Sequence, residues 1–142
     1  MPGGRASSIA ELPEEPRRVL EEARRGFLAT VDSEGRPHAV PVCFAERAGE
    51  ILTPIDEKPK SGKELGRRKN LEGNAHATLV VDRWDEDWTR LGWVMVRGMA
   101  RVEPVGSADR ELVARYPQYE DVLVGSEVIV VEPRVVLWWT WE

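Results

Sequence analysis

The feature that most constrains this chain is an alternation of apolar and polar residues that recurs along its length. In "WVMVRGMARVEP" (residues 93–104), Val94, Val96, Ala100 and Val102 fall on one side of an extended chain. Successive strand side chains point to opposite faces, so this period of two is the mark of a half-buried β-strand. The same reading applies to "FLATVD", "PHAVPVCFAE", "EILTPI", "AHATLVVDRW", "SEVIVVEP" and "RVVLWWTWE". In the second of these, His38, Val40, Val42 and Phe44 share one face, and Ala39, Pro41, Cys43 and Ala45 the other. "SEGR" and "RAGE" carry turn chemistry between strands, and Glu132, Pro133 and Arg134 separate the last two.

Three shorter segments have helical signals. "PEEPRRVLEEARR" has acids early, bases late and Gly26 just beyond, which suits the helix dipole and its termination. "SGKELGRRKNLEG" opens with Ser61 and Glu64 in capping-box spacing. "SADRELVARYPQYEDVL" has Ser107 in position to cap a short helix that Pro117 interrupts. Seven strands joined mostly by tight turns, against three short helices, predict a mainly β antiparallel barrel with helices at its ends. A chain of 142 residues builds one such domain, expected over residues 13–142. Residues 1–12, which begin "MPGGRASS" without apolar periodicity, are expected to be flexible.

Composition removes several functional classes. A formal net charge of −5 argues against a general nucleic-acid binder, and any anion site must be local. No apolar run approaches the roughly 18 residues of a membrane span, and no apolar leader is visible. The lone Cys43 forms no internal disulfide, so a cytoplasmic protein is expected. His38 and His76 are the only histidines, and no Cys/His spacing suggests a metal. Phosphate-loop, nucleophile-elbow and zinc-protease motifs are all missing. His38, His76 and Cys43 read first as ordinary structural residues.

Against that acidic background, residues 51–70, "ILTPIDEKPKSGKELGRRKN", gather Lys58, Lys60, Lys63, Arg67, Arg68 and Lys69 after a strand end and around a helix start. Unpaired N–H groups and a partial positive charge at a helix N-terminus, joined by ammonium groups, suit a phosphate. A solvated helix face partly neutralised by Asp56, Glu57 and Glu64 is the competing explanation. The six tryptophans form a second concentration of chemistry: Trp84, Trp88 and Trp93 surround one loop, and Trp138, Trp139 and Trp141 close the chain. Alternation places Trp139 and Trp141 opposite Trp138, so one outward face must be apolar and open to a planar ligand or a partner subunit.

Four stretches in this order, "GFLATVDSEGRPHAVPVCF", "ILTPIDEKPKSGKELGRRKNLEGNAHATLVVD", "DEDWTRLGWVMVRGMARV" and "VVLWWTW", carry a family resemblance. The chain resembles the pyridoxamine 5'-phosphate oxidase-like split β-barrel proteins that bind FMN or coenzyme F420, and among them the small F420-dependent oxidoreductases. The resemblance implies a homodimer with a cofactor in each of two interface grooves, acting on a small-molecule substrate. It implies that Val40, Pro41 and Val42 offer backbone groups to the cofactor ring. Thr53, Lys58 and Lys60 would hold the phosphate, and Trp93, five residues before Gly98, would approach the ring from the other subunit. Lys63, with Arg67, Arg68 and Lys69, is placed to receive the anionic tail of F420, although these too read as a soluble helix face.

The resemblance therefore implies an oxidoreductase that passes a hydride from F420, with FMN the alternative, and needs no catalytic triad because the cofactor carries the chemistry. The closing "WWTWE" lacks the basic substrate segment of true pyridoxamine phosphate oxidases, so that reaction is not expected. A non-catalytic flavin- or F420-binding protein, and a barrel that stacks single-stranded nucleic acid on tryptophan, are the rivals. The expected partners include no nucleic acid, membrane or metal.

Overall fold

The structure, a computed structural model, describes residues 3–55 and 66–141. Its elements run β1 (Gly3–Ala6), α1 (Glu14–Glu22), β2 (Gly26–Val31), β3 (Pro37–Val42), β4 (Ala45–Arg47), β5 (Glu50–Ile55), α2 (Gly66–Gly73), β6 (His76–Arg83), β7 (Gly92–Pro104), α3 (Ala108–Arg115) and β8 (Glu127–Thr140). The strands form one antiparallel sheet in the order β3-β2-β6-β7-β8-β5-β4, with β1 added to β8. That is the mainly β architecture with short helices that the alternation predicts. Among the described residues, no helix is long and apolar enough to cross a membrane.

The two C-terminal strands expected from sequence are one. Arg97 pairs with Val135 and Gly98 with Pro133, leaving Arg134 as an extra residue of β8. This bulge absorbs the Glu-Pro-Arg segment that reads as a turn, and it switches which residues face inward. Before it, Ile129 and Val131 enter the principal core; after it, Val136 does, with Trp138 packed alongside. Gly98 is what permits the irregularity, because a Cβ there would lie 2.0 Å from the Glu132 carbonyl oxygen. Strand β3 also ends earlier than expected: pairing stops at Val42 and resumes as β4 at Ala45.

Two apolar clusters sandwich the β5–β8 half of the sheet. The principal one holds Leu28, Phe44, Ile51, Leu79, Val94, Val96, Ile129 and Val136, and α1 closes it with Val19 and Leu20. The second sets Leu52, Val128 and Val130 of the opposite face against Ala108 and Leu112 of α3. Helix α1 stops at Glu22, before Arg24 and Arg25, so no base lies in its last turn. The Ser107 side chain makes no capping bond to α3.

The segment expected to be flexible is tied down. Gly3–Ala6 pairs in register with Trp139–Val136, and Ile9 behind it is fully buried. The glycines allow it: a Cβ on Gly4 would lie 2.4 Å from Cζ2 of Trp138, so the backbone of β1 lies directly against that indole.

Candidate functional site

Among the described residues strand β3 pairs only with β2, so one edge of its backbone carries no ladder there. Pro41, without an N–H, is well suited to such an edge. Its side chain is exposed, Val42 is buried and Val40 packs against the principal core. The three residues expected to lie beneath a cofactor ring therefore stand on an edge with unpaired backbone groups.

Thr53 is in the middle of β5, opposite Ile129, on the same side as Ile51. It is fully buried, and among the described residues its Oγ1 has no hydrogen-bond partner. Arg67, at the described start of α2, has a buried Nε that is also unpartnered. So is Nδ1 of His38, whose Nε2 would lie 3.4 Å from a Cβ on Gly66. A buried polar group left without a partner costs on the order of 1–3 kcal/mol, and such orphans call for a specific explanation. Hydroxyl and guanidinium hydrogens are donors, so each of these two groups suits an anionic partner such as a cofactor phosphate.

Lys58, Lys60 and Lys63, together with Ser61 and Glu64 of the capping box, lie outside the described residues. Thr53 and Arg67 flank that segment in sequence. Arg68, one of the bases read as a receiver for an anionic tail, is engaged elsewhere. It pairs with Glu72 at 2.9 Å and with both carboxylate oxygens of Glu127 at 2.9 and 3.2 Å. Beside it, Lys69 and Asn70 line an open groove of about 900 Å³ between α2 and the β2–β3 turn, which also includes Asp32 and Arg36. There Asn70 donates to the Thr30 hydroxyl at 3.0 Å, fastening α2 to β2. The Asp32 carboxyl is held below the usual aspartate range by the Arg36 backbone N–H and then by the Arg36 side chain.

The outward face of the sheet is apolar in register. Pro41, Phe27, Val80, Met95 and Leu137 follow one another across β3, β2, β6, β7 and β8. One rung along, Asp82, Trp93, Trp139 and Gly3 face one another. Trp93 is 36% exposed and Phe27 41%, high values for such large apolar side chains. As the alternation predicts, Trp138 packs on the core while Trp139 and Trp141 share the other side, their rings 6.4 Å apart and perpendicular. Among the described residues, no cluster of His, Cys, Asp or Glu is arranged to hold a metal ion.

His38 and Arg67 are the residues whose importance the sequence hides: their orphaned nitrogens follow from burial, which no motif announces. The only clue for Arg67 is its place in the basic run.

Comparison with known proteins agrees with this architecture. Residues 12–140 match the pyridoxamine 5'-phosphate oxidase family. Over 122 residues the chain is 31% identical to the 5a,11a-dehydrotetracycline/5a,11a-dehydrooxytetracycline reductase of Streptomyces rimosus subsp. rimosus, covering 80% of this chain and 72% of that one. Among solved structures, an F420 reductase is similar at 23% identity, with 88% and 98% of the two chains covered and a TM-score of 0.63. A FAD-binding protein from Mesorhizobium loti is similar at 17% identity, with 97% and 98% covered and a TM-score of 0.66.

Proposed function

The chain belongs to the pyridoxamine 5'-phosphate oxidase family, and from that premise we propose that it binds coenzyme F420 and reduces a small conjugated organic substrate in the cytoplasm. The observation that carries the proposal is the pair of buried, unpartnered donors, Thr53 Oγ1 and Arg67 Nε, on either side of the basic segment. Such groups are costly in a merely structural role and useful beside a phosphate. Thr53 would donate its hydroxyl hydrogen to a phosphate oxygen and Arg67 its Nε hydrogen, and Lys58 and Lys60 would contribute charge. The unpaired edge of β3 at Val40, Pro41 and Val42 presents backbone groups to the ring.

When bound, F420 in its reduced form supplies a hydride to an electron-poor carbon of the substrate, and a proton from solvent completes the two-electron reduction. The protein's part is to fix the ring, exclude water from it and hold the substrate close. The S. rimosus relative, by name a reductase of a dehydrotetracycline, supports a conjugated substrate. Lys63, Arg67 and Lys69 are the residues assigned to the anionic tail, with Lys69 lining the groove beside α2, and they favour F420 over FMN.

The site is completed by a second copy of the chain. The support is the apolar outward row that includes exposed Phe27, which a dimer would cover, and the position of Trp93 on the adjoining rung. Trp93 of one subunit then contacts the ring held by the other. Mixing Trp93→Asp protein with Lys58→Ala, Lys60→Ala protein should rebuild one intact groove per mixed dimer. Binding in the exchanged mixture no better than in either parent would overturn the shared site.

The direct experiment mixes purified protein separately with F420 and FMN, removes free ligand by gel filtration and records absorption spectra. Retained F420 supports the proposal, and retained FMN alone moves it to the flavin alternative. Retained F420 that is never oxidised by any conjugated acceptor identifies a binding protein. Retention of neither overturns the cofactor reading.

A further inference from the structure

We propose that Trp139 and Trp141 are the specificity residues of this site, holding a flat, uncharged conjugated ring system beside Trp93. The inference rests on the cofactor reading above and names the substrate class that the proposed site accepts. Trp139 of β8 stands directly across the ladder from Trp93 of β7. Directly opposed strand residues have Cβ atoms about 5 Å apart, which makes these two side chains immediate neighbours on one face. Trp141 stands perpendicular to Trp139 at 6.4 Å between ring centroids. It is fixed in place by its backbone N–H, which donates to the Leu91 carbonyl at 3.1 Å. Two of the three indoles thus stand on paired strands and the third one residue beyond β8, so the backbone beneath them is held before a ligand binds.

The surroundings select the occupant. On the far side of Trp139 lies Gly3, where a Cβ would sit 3.6 Å from Cδ1 of the indole, so the flank of the ring is bare. The rung itself contains Asp82, two tryptophans and a glycine, with no cation. On this face of the ladder the nearest cation is Arg5, one rung away beside Leu137, while Arg83, next to Asp82 and paired with Gly92, belongs to the alternate face. An anionic substrate finds no counter-charge on this rung. A small acyclic one leaves most of the aromatic surface unused. A rigid polycycle lies face-on against one indole and edge-on against the perpendicular one, both favourable aromatic geometries. Trp141 remains 45% exposed, so that surface is open for contact.

The test uses menadione, a flat neutral bicyclic quinone, and cyclohex-2-enone as a small control. Equilibrium dialysis measures the affinity of each for the wild type, Trp139→Leu, Trp141→Leu and Trp139→Phe. Retention of F420 and FMN is measured on the same preparations. Each leucine variant should bind menadione about threefold to tenfold more weakly, the loss expected for one aromatic contact. Trp139→Phe should recover most of the affinity, and cyclohexenone binding and cofactor retention should hardly change. Menadione affinity equal in wild type and both leucine variants would overturn the proposal, as would no measurable binding to the wild type. Loss of cofactor in step with menadione would also overturn it, by assigning the indoles to the cofactor. If the wild type retains neither cofactor, the cofactor reading falls separately, while the dialysis still decides whether the indole pair selects flat rings.

Discussion

Two regions of this molecule treat buried polar groups in opposite ways. Where α3 meets α1 and the β3–β4 junction, the phenolic oxygen of Tyr116 accepts from the Phe44 backbone N–H at 3.1 Å and donates to the Arg24 carbonyl at 3.1 Å. Arg115 donates to the carbonyls of Glu21 and Ala23 and stacks over Phe44 at 4.6 Å. Arg24 in turn donates to the Arg115 carbonyl at 2.6 Å and covers the Tyr116 ring. Around β5 and α2, by contrast, Thr53, His38 and Arg67 each keep a buried polar atom without a partner. The first region spends its hydrogen-bonding capacity on the fold, and the second holds capacity in reserve. The half-buried Asp109 and Glu111 of α3 also have one unpartnered oxygen each, but those acceptors repel an anion. Among the described residues the orphaned donors lie in the other region, the sign that the proposed cofactor side requires.

The comparison is most exposed to failure at the basic segment. Changing both Lys58 and Lys60 to alanine should weaken F420 binding by about a hundredfold or more, since each charge-assisted hydrogen bond contributes on the order of 1.5–3 kcal/mol. The thermal midpoint should hardly move, and isothermal titration beside a melting curve reads both quantities. Unchanged affinity would remove these lysines from the phosphate site.

Tyr116→Phe should do the reverse. It leaves the buried Phe44 N–H without its acceptor and costs about 1–3 kcal/mol in denaturant unfolding, with cofactor affinity unchanged. A loss of affinity without a loss of stability would erase the distinction between the regions.

A smaller effect is expected at the ion-pair group of Arg47, Glu50, Arg101 and Glu103, which ties the β4–β5 turn to β7. Glu103 is held below the usual glutamate range, first by the hydrogen bond from Arg47 and then by that from Arg101. A depressed carboxyl contributes stability that is complete above its unfolded value and lost as pH falls through its folded value. Glu103→Gln should therefore remove part of the acid-side loss and leave neutral behaviour within about 1 kcal/mol of the wild type. Acid titrations that superimpose for the two proteins would show that the pair does not assist folding.

Much of the barrel was legible because alternation is a local signal: Val94 and Val96, or Trp138 against Trp139, declare their faces within a few residues. The rest depends on partners distant in sequence. Nothing in "GGRA" reveals that β8 has a free edge to receive it, or that glycine is needed against Trp138. Glu-Pro-Arg reads as a turn until Gly98 of the neighbouring strand supplies room for a bulge. The basic run was plain in sequence, but not that Glu127, 59 residues away, engages Arg68. Thr53 stands out in sequence through the family resemblance, and only the folded environment gives a physical reason, a buried hydroxyl without a partner among the described residues.

That hydroxyl provides the most direct test of the claim that one region holds polar groups in reserve for a ligand. Thr53→Val keeps the shape of the side chain and removes the oxygen. Denaturant unfolding of the cofactor-free protein and F420 titration, performed on wild type and variant together, should show stability unchanged or raised by about 1 kcal/mol and affinity reduced by about tenfold. Lower stability with unchanged affinity would mean that the hydroxyl serves the fold, and the division between the two regions would not stand.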